Sequence, residues 1–147
     1  MDSPQELKAR ALRYLVRREH SRDELARKLS PYAESPELLE GTLNWLESTK
    51  KLSNQRFAEA RVHQLARKFG AAKIRQDLKA KGVDDYPVSA AGDVERARQI
   101  LARKYREPAT TREEHAKRAR FLQGRGFSYD TIRSALGLSS STNFSEE

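Results

Sequence analysis

Three stretches of this sequence decide the predicted fold: Arg-Glu-His-Ser at 18–21, Arg-Lys-Phe-Gly at 67–70 and Arg-Gly-Phe-Ser at 125–128. In each stretch, a basic residue lies three positions before a residue suited to start a helix. Two apolar residues follow four and eight positions after that start: Leu25 and Leu29, Ile74 and Leu78, and Ile132 and Leu136. A unit repeated at spacings of 49 and 58 residues is typical of stacked helical modules. The repeat therefore predicts an elongated, curved helical body.

Helix-start signals and apolar stripes account for nearly the whole chain. Capping residues followed three positions later by glutamate stand at Ser3, Ser21 and Thr111, and a proline follows both Ser3 and Ser35. Alternating apolar and polar runs and Asn-Gly or Asp-Gly turns are missing, so no strand is predicted. We predict an all-α protein of tandem three-helix repeats. The predicted modules are 1–51, 52–107 and a shortened 108–138, followed by a disordered polar tail at 139–147.

Length and composition fit a helical protein without a membrane segment. The 147 residues are 37% apolar and 34% charged. The longest apolar runs fall far short of the roughly 20 residues that cross a bilayer, and the N-terminus lacks an apolar signal core. Because the chain has no cysteine, disulfides, thiolate catalysis and cysteine-ligated zinc are excluded. These features suit a cytoplasmic protein.

Motifs for metal binding and catalysis are incomplete. His20, His63 and His115 are isolated from one another, without a second ligand at metal spacing. The run Glu113–His115 lacks the second histidine of a metalloprotease helix, and Gly124–Gly126 is not followed by the Lys-Ser/Thr of a phosphate loop. We therefore expect no metal, no cofactor and no enzymatic activity.

The positive charge of the chain is concentrated in one segment. Residues 56–81 carry eight Lys and Arg against two Asp and Glu, which is +6 of the net +8, whereas residues 1–55 nearly balance at ten against nine. A pI near 9.9 with the excess clustered in this way indicates a phosphate-rich or acidic partner. The alternative is an ordinary solvated helical surface, since Lys and Arg are good helix formers.

Basic residues of all three modules are the candidate contacts to that partner. The central patch is defined as Arg61, Arg67, Lys68, Lys73, Arg75, Lys79 and Lys81. The candidates before it are Arg17, Arg18, Arg22 and Lys28, and those after it are Arg118, Arg120, Arg125 and Arg133. Contacts repeated along an extended body would give avidity for a repeating partner.

Several of these motifs, taken in order, resemble the RecX family. The matching stretches are Ala11–Leu15, Ser21–Leu25, Leu52–Ala58, Gly70–Val83 and Arg120–Tyr129. The last stretch, Arg-Phe-Leu-Gln-Gly-Arg-Gly-Phe-Ser-Tyr, is similar to the family's terminal repeat. Together the stretches extend over nearly the whole chain, and their order makes the resemblance more specific than any single motif.

The resemblance implies a bacterial, cytoplasmic regulator of recombination built from tandem three-helix repeats. It implies a partner, the RecA recombinase filament, in whose helical groove such proteins lie while they inhibit ATP hydrolysis and strand exchange. Roles in DNA repair and the SOS response would follow. Single-stranded DNA and also double-stranded DNA are the implied nucleic acids, and we expect a monomer without enzymatic activity.

The sequence departs from the family pattern at two places. Asn54 stands where the family usually has an aspartate, which puts a local capping or polar contact in question. No third helix is evident after Leu138, which would shorten the last module.

Two other classes of function compete with this interpretation. A helix-turn-helix reader of duplex DNA could present Arg22, Arg27 and Lys28 to a groove, although the threefold repeat and the lack of a dimerising heptad argue against it. A helical adaptor for an acidic protein is the other alternative.

Overall fold

The computed structural model describes residues 1–138, and these contain eight α-helices, one 3-10 turn and no strand. The helices are α1 Pro4–Arg17, α2 Arg22–Leu29, α3 Pro36–Ser48, α4 Asn54–Leu65, α5 Ala71–Ala80, α6 Asp93–Lys104, α7 Arg112–Gly124 and α8 Tyr129–Ala135. The 3-10 turn, Ser30–Tyr32, follows α2. The all-α prediction is confirmed, whereas the predicted disordered tail at 139–147 lies outside the described residues. None of the helices in residues 1–138 is both long and apolar enough to cross a membrane.

Helices α1, α2, α3 and α7 begin where the local signals predicted, whereas α6 begins at Asp93 and not near Asp84–Pro87, where the sequence signals had placed its start. Ser3, Ser21 and Thr111 each accept a hydrogen bond from the backbone N–H three residues on, and the glutamate there accepts one from the backbone of the capping residue. In the third box, the backbone N–H groups of Thr110 and Thr111 and their hydroxyls bond Glu114 and lower its pKa to about 2. Capping boxes of this kind fix helix starts without help from the rest of the fold.

The contacts divide the described chain into two compact units. The first unit comprises Met1–Arg61 and Leu78–Tyr86, and the second comprises Val62–Asp77 and the chain from Pro87 onward. Residues of α4 and of α5 are therefore shared between the two units. The predicted module boundaries at 51/52 and 107/108 stay a prediction.

The first unit packs α1, α2 and α3 around a leucine-rich core. Its buried residues are Leu7, Ala11, Leu25, Leu29, Leu43, Leu46 and Leu52. Trp45 is half-buried against this core, with the ammonium of Lys8 4.5 Å from its ring centroid.

The second unit has its own core on α6, α7 and α8. The buried residues are Ala97, Ile100, Leu101, Ala119, Leu122, Phe127 and Ile132. The repeat predicted that Leu25, Ile74 and Ile132 would be buried at corresponding positions. Their exposed fractions are 0%, 1% and 3%, so this prediction is confirmed.

Candidate nucleic-acid interface

At the first repeated turn, 18–21, and the residue that follows it, two candidate cations bond carboxylates of the first unit. The Arg18 guanidinium lies 2.7 Å from Glu24, and this hydrogen bond raises the pKa of Arg18. Arg22 bonds two glutamates of α3, with Nη2 2.7 Å from Glu40 and Nη1 on Glu47. Arg18 and Arg22, both predicted to contact a partner, therefore already form ion pairs within the protein. That they contact phosphate stays a prediction.

A buried histidine occupies the same turn and engages a further candidate cation. His20 Nδ1 lies 3.0 Å from the Arg18 carbonyl oxygen, and His20 Nε2 lies 2.8 Å from Lys28 Nζ. Because an ammonium can only donate, Nε2 accepts and the proton of the neutral ring is on Nδ1. Burial lowers the pKa of His20, in keeping with a neutral ring. Lys28 is also 5.0 Å from the Tyr14 ring centroid, so this candidate is held inside the first unit.

The second and third repeated turns meet inside the second unit. The N–H of Gly70 donates to the carbonyl of Arg125 at 2.8 Å. A Cβ atom on Gly70 would lie 2.6 Å from the Gly126 carbonyl oxygen, which no real side chain tolerates. Gly126, at φ +90°, packs in turn against the backbone of Lys73. Two glycines therefore let the two turns approach to backbone contact.

Three candidate cations after the central patch make side-chain contacts within the second unit. The Arg125 guanidinium lies 5.3 Å from the Phe69 ring centroid and 5.0 Å from that of Phe121. Arg118 stacks on Tyr105, 4.2 Å from its ring centroid. Arg133 pairs with Asp130 and lies 4.7 Å from the ring centroid of Tyr129. Cation–π contacts at exposed sites contribute about 0.5 to 1 kcal/mol each.

Three cations of the central patch, all in the second unit, differ from the paired cations described above. Arg67, Lys68 and Lys73 are exposed, and among the described residues none of their side chains has a hydrogen bond or ion pair. Their backbones are nevertheless fixed, because Arg103 donates to the Arg67 carbonyl and Gly126 packs against Lys73. These three residues, here called the free basic turn, combine available charge with a rigid support.

The remaining candidate cations differ in exposure and lie in both units. Arg75 is exposed and its Nη1 donates to the Val88 carbonyl at 2.7 Å. Arg120, also in the second unit, is exposed. In the first unit, Arg17 and Lys79 are exposed, and Arg61 and Lys81 are half-buried. The patch inferred from sequence thus contains residues of both units.

A buried carboxylate that the sequence did not single out supports the free basic turn. Asp93, only 3% exposed, accepts the N–H of Ala71 through Oδ2 at 3.2 Å, and Arg96 bonds its other oxygen. The N–H of Ala71 is one of the otherwise unpaired donors at the start of α5. Asp93 therefore anchors the helix that carries Lys73. An acidic residue in the first turn of α6 was the only signal available, and it does not indicate so distant a donor.

Asn54 makes the polar contact that its departure from the family pattern had put in question. Its Oδ1 accepts the N–H of Arg22 at 2.8 Å, at the first residue of α2. The contact parallels the one from Asp93 to Ala71, because a side chain at the start of one helix caps the start of another.

A metal site is not an alternative among the described residues. No group of three or more His, Cys, Asp or Glu within residues 1–138 could hold a metal ion. The expectation of no cofactor stays a prediction. What the arrangement can do is present fixed positive charge to an anionic surface.

Repeated helix-turn-helix units with basic turns define a helical-repeat protein. The chain matches the second three-helix domain of RecX over residues 53–91 and the third over residues 92–136. It is 47% identical to "Regulatory protein RecX" of Herbaspirillum seropedicae, covering 90% of each chain, and 45% identical to that of Ralstonia nicotianae, covering 85% of this chain and 82% of the relative. This protein belongs to the RecX family, a regulatory and non-enzymatic family.

Solved structures agree on the fold. The crystal structure of RecX from Lactobacillus salivarius superposes with a TM-score of 0.74 at 24% identity, covering 91% of this chain and 94% of that chain. The family-model match over 92–136 contains α6, α7 and α8. The match over 53–91 contains α4 and α5, and the structure has no further helix in residues 81–91. The two matches thus meet at 91/92. The module boundary at 107/108 stays a prediction.

Proposed function

We propose that this protein binds the RecA recombinase filament on DNA, lies along the filament groove, and inhibits ATP hydrolysis and strand exchange. The observation that carries the proposal is the free basic turn, Arg67, Lys68 and Lys73. These cations are exposed on a rigid support, whereas Arg18, Arg22 and Lys28 already have partners inside the first unit. Membership of a regulatory family is the second support.

Physical chemistry favours an anionic filament as the ligand of such a surface. Phosphates bound by Lys and Arg release condensed counterions, which drives association without reading the base sequence. Backbones that are already fixed reduce the conformational entropy lost on binding. The cations of the free basic turn have such a fixed backbone, because Gly70 and Gly126 allow the two turns of the second unit to pack closely.

The nucleic acid, the location and the oligomeric state are also part of the proposed function. Single-stranded DNA within the filament is the proposed nucleic acid, with duplex DNA as a further ligand, because phosphate contacts accept either form. We propose a cytoplasmic monomer that acts through its repeats, so that one copy contacts more than one filament subunit.

A sequence-specific reader of duplex DNA receives less support. That function used Arg22, Arg27 and Lys28. Arg27 is exposed, yet Arg22 bonds Glu40 and Glu47 and Lys28 bonds His20. A reader would have to break these contacts before touching a base edge.

A titration of recombinase ATPase activity tests the proposal. The protein is added to the cognate recombinase on single-stranded DNA, and ATP hydrolysis is followed at rising ratios of protein to recombinase. We expect inhibition well below one copy per recombinase subunit, because each copy spans several subunits. Co-sedimentation with filament, with recombinase alone and with DNA alone identifies the partner. Unchanged hydrolysis at an equimolar ratio would contradict the proposed function.

A further inference from the structure

A shallow pocket of about 270 Å³ lies in the second unit, and its lining contains no residue of the free basic turn. It is lined by α6, the segment that follows it, α7 and the end of α8. Three arginines are among the residues that line it: Arg98, Arg106 and Arg118. The proposed function uses neither Arg98 nor Arg106.

Two of the three arginines are held in place before any ligand arrives. Arg98 Nη2 donates to the Ser134 carbonyl at 2.9 Å, and Arg118 Nη2 donates to the Glu107 carbonyl at 2.9 Å. A guanidinium has five N–H donors, so each keeps several for a ligand. Arg106 is exposed, and no side-chain partner for it occurs in the described part of the chain. Fixed guanidinium groups suit carboxylate recognition because little freedom is lost on binding.

The rest of the pocket is mainly apolar. Leu101, Ala102, Pro108 and Ala135 contribute to its lining, and Glu107 is its one acidic residue. Three arginines against one glutamate leave an excess of positive charge around an apolar patch. A ligand that complements this pocket carries negative charge beside an apolar group.

We propose that this pocket, here called the arginine pocket, binds an acidic peptide segment of a partner protein, with one apolar side chain on the patch and carboxylates on the arginines. A nucleotide fits less well, because the Tyr105 ring is already stacked by Arg118 and contacted edge-on by Phe121. A base would have to displace Arg118 in order to stack there. The site and its ligand class are independent of the filament contact proposed above.

Fluorescence anisotropy with short labelled peptides tests this assignment on the full chain. The probe is the peptide Glu-Glu-Phe-Glu-Glu, and the controls are Gln-Gln-Phe-Gln-Gln and Glu-Glu-Ala-Glu-Glu. We expect saturable one-to-one binding of the probe, with each control peptide at least about tenfold weaker, because each lacks half of the complementarity. Absence of saturable binding at millimolar peptide would overturn the proposal. So would equal binding of all three peptides.

Three variants locate the binding site. Arg106→Glu reverses the unpartnered arginine, Ala102→Trp fills the pocket without changing charge, and Lys117→Glu is the control, an exposed cation outside the pocket. We expect the first two to weaken probe binding at least about tenfold and the control to leave it unchanged, with thermal melts verifying that each variant folds. An equal loss in the Lys117 control would reveal diffuse attraction and overturn the pocket.

A separate titration with a thymine oligonucleotide decides between the two ligand classes. Oligonucleotide binding that Ala102→Trp leaves unchanged, while probe binding is lost, supports the peptide. If Ala102→Trp abolishes oligonucleotide binding instead, nucleic acid occupies the pocket and the peptide proposal is wrong. Because the peptide assay contains neither recombinase nor DNA, its failure is distinct from a failure of the filament proposal.

Discussion

Single residues decide how tightly the second unit closes. Gly70 lies where the second repeated turn meets the third, Gly126 lies where the third meets the start of α5, and at each a Cβ atom would meet backbone atoms. Gly126 also has φ +90°, a conformation that costs other residues about 1 to 3 kcal/mol. The support of the free basic turn therefore depends on the absence of two side chains.

Replacing Gly126 with alanine should destabilise the protein by at least about 2 kcal/mol, because backbone strain adds to the clash with Lys73. Gly41→Ala is the matched control. Gly41 lies inside α3, and a Cβ atom added there would have nothing within 4 Å, so alanine should stabilise by about 0.5 to 1 kcal/mol through helix propensity. Urea denaturation of both variants checks the opposite signs. Equal effects would show that the turns are not in contact.

His20 should make the stability of the first unit depend on pH. Burial lowers its folded-state pKa below the ordinary 6.5, and the cations Arg18 and Lys28 act in the same direction, whereas the bond to the Arg18 carbonyl and Glu24 oppose them. The unfolded chain therefore binds the proton more readily. This contribution is complete above about pH 6.5 and is lost as the pH falls through 6.5 toward the lower folded-state value.

The free energy of unfolding should accordingly fall more steeply for the parent than for His20→Gln between about pH 7.5 and about pH 5.5, the range in which an ordinary histidine titrates. Glutamine can still donate to the Arg18 carbonyl and accept from Lys28, but it does not titrate. Chemical denaturation at both pH values gives the two slopes. Parallel slopes would mean that His20 has the same pKa in the folded and unfolded chains.

At the scale of elements, helix starts are fixed both by their own sequence and by distant side chains. The start of α2 shows both, with Ser21 capping Glu24 locally and Asn54 capping Arg22 from the first residue of α4. The start of α5 has a glycine at the capping position and relies on Asp93. A side chain far along the chain thus replaces a local cap.

Exchange of Asn54 tests this long-range cap. Asn54→Ala should cost about 1 kcal/mol or more, because the N–H of Arg22 loses its acceptor. Asn54→Asp, the residue usual in the family, should stabilise by about 0.3 to 1 kcal/mol, because a carboxylate is favoured at a helix N-terminus. Urea denaturation in low salt compares the two. If both variants lost the same stability, the oxygen of residue 54 would not be the cap.

The contrast between local and distant contacts explains what could be predicted from sequence. Capping boxes at Ser3, Ser21 and Thr111 lie within four residues, so pattern alone located those helices. The bond from Ala71 to Asp93 joins residues 22 positions apart, and nothing in either segment indicates it. Periodicity likewise predicted the buried faces, but not which turns would meet.

On the scale of the whole molecule, the sequence indicates where the positive charge lies but not what each cation does. Composition placed the positive excess at 56–81, and the chain belongs to a family of regulatory proteins. Sequence could not separate cations that bind a partner from cations that hold the fold. Arg18, Arg118 and Arg125 make contacts inside the protein, and only three-dimensional proximity to Glu24, Tyr105 and Phe69 reveals it.

Contact between the free basic turn and phosphate in the filament is the central claim, and the salt dependence of binding tests it most directly. The test variant reverses Arg67, Lys68 and Lys73 to glutamate. The control variant reverses three other exposed cations, Arg13, Lys50 and Lys117. It therefore lowers the net charge by the same amount as the test variant. Affinity for recombinase filaments on single-stranded DNA is measured by anisotropy over a series of salt concentrations.

We expect a linear fall of log affinity with log salt for the parent, and a slope shallower by about 2 for the test variant, since three phosphate contacts at about 0.7 each are lost. The control variant should keep the slope of the parent. Equal losses of affinity and slope in both variants would contradict the claim, because the attraction would then come from net charge rather than from the free basic turn.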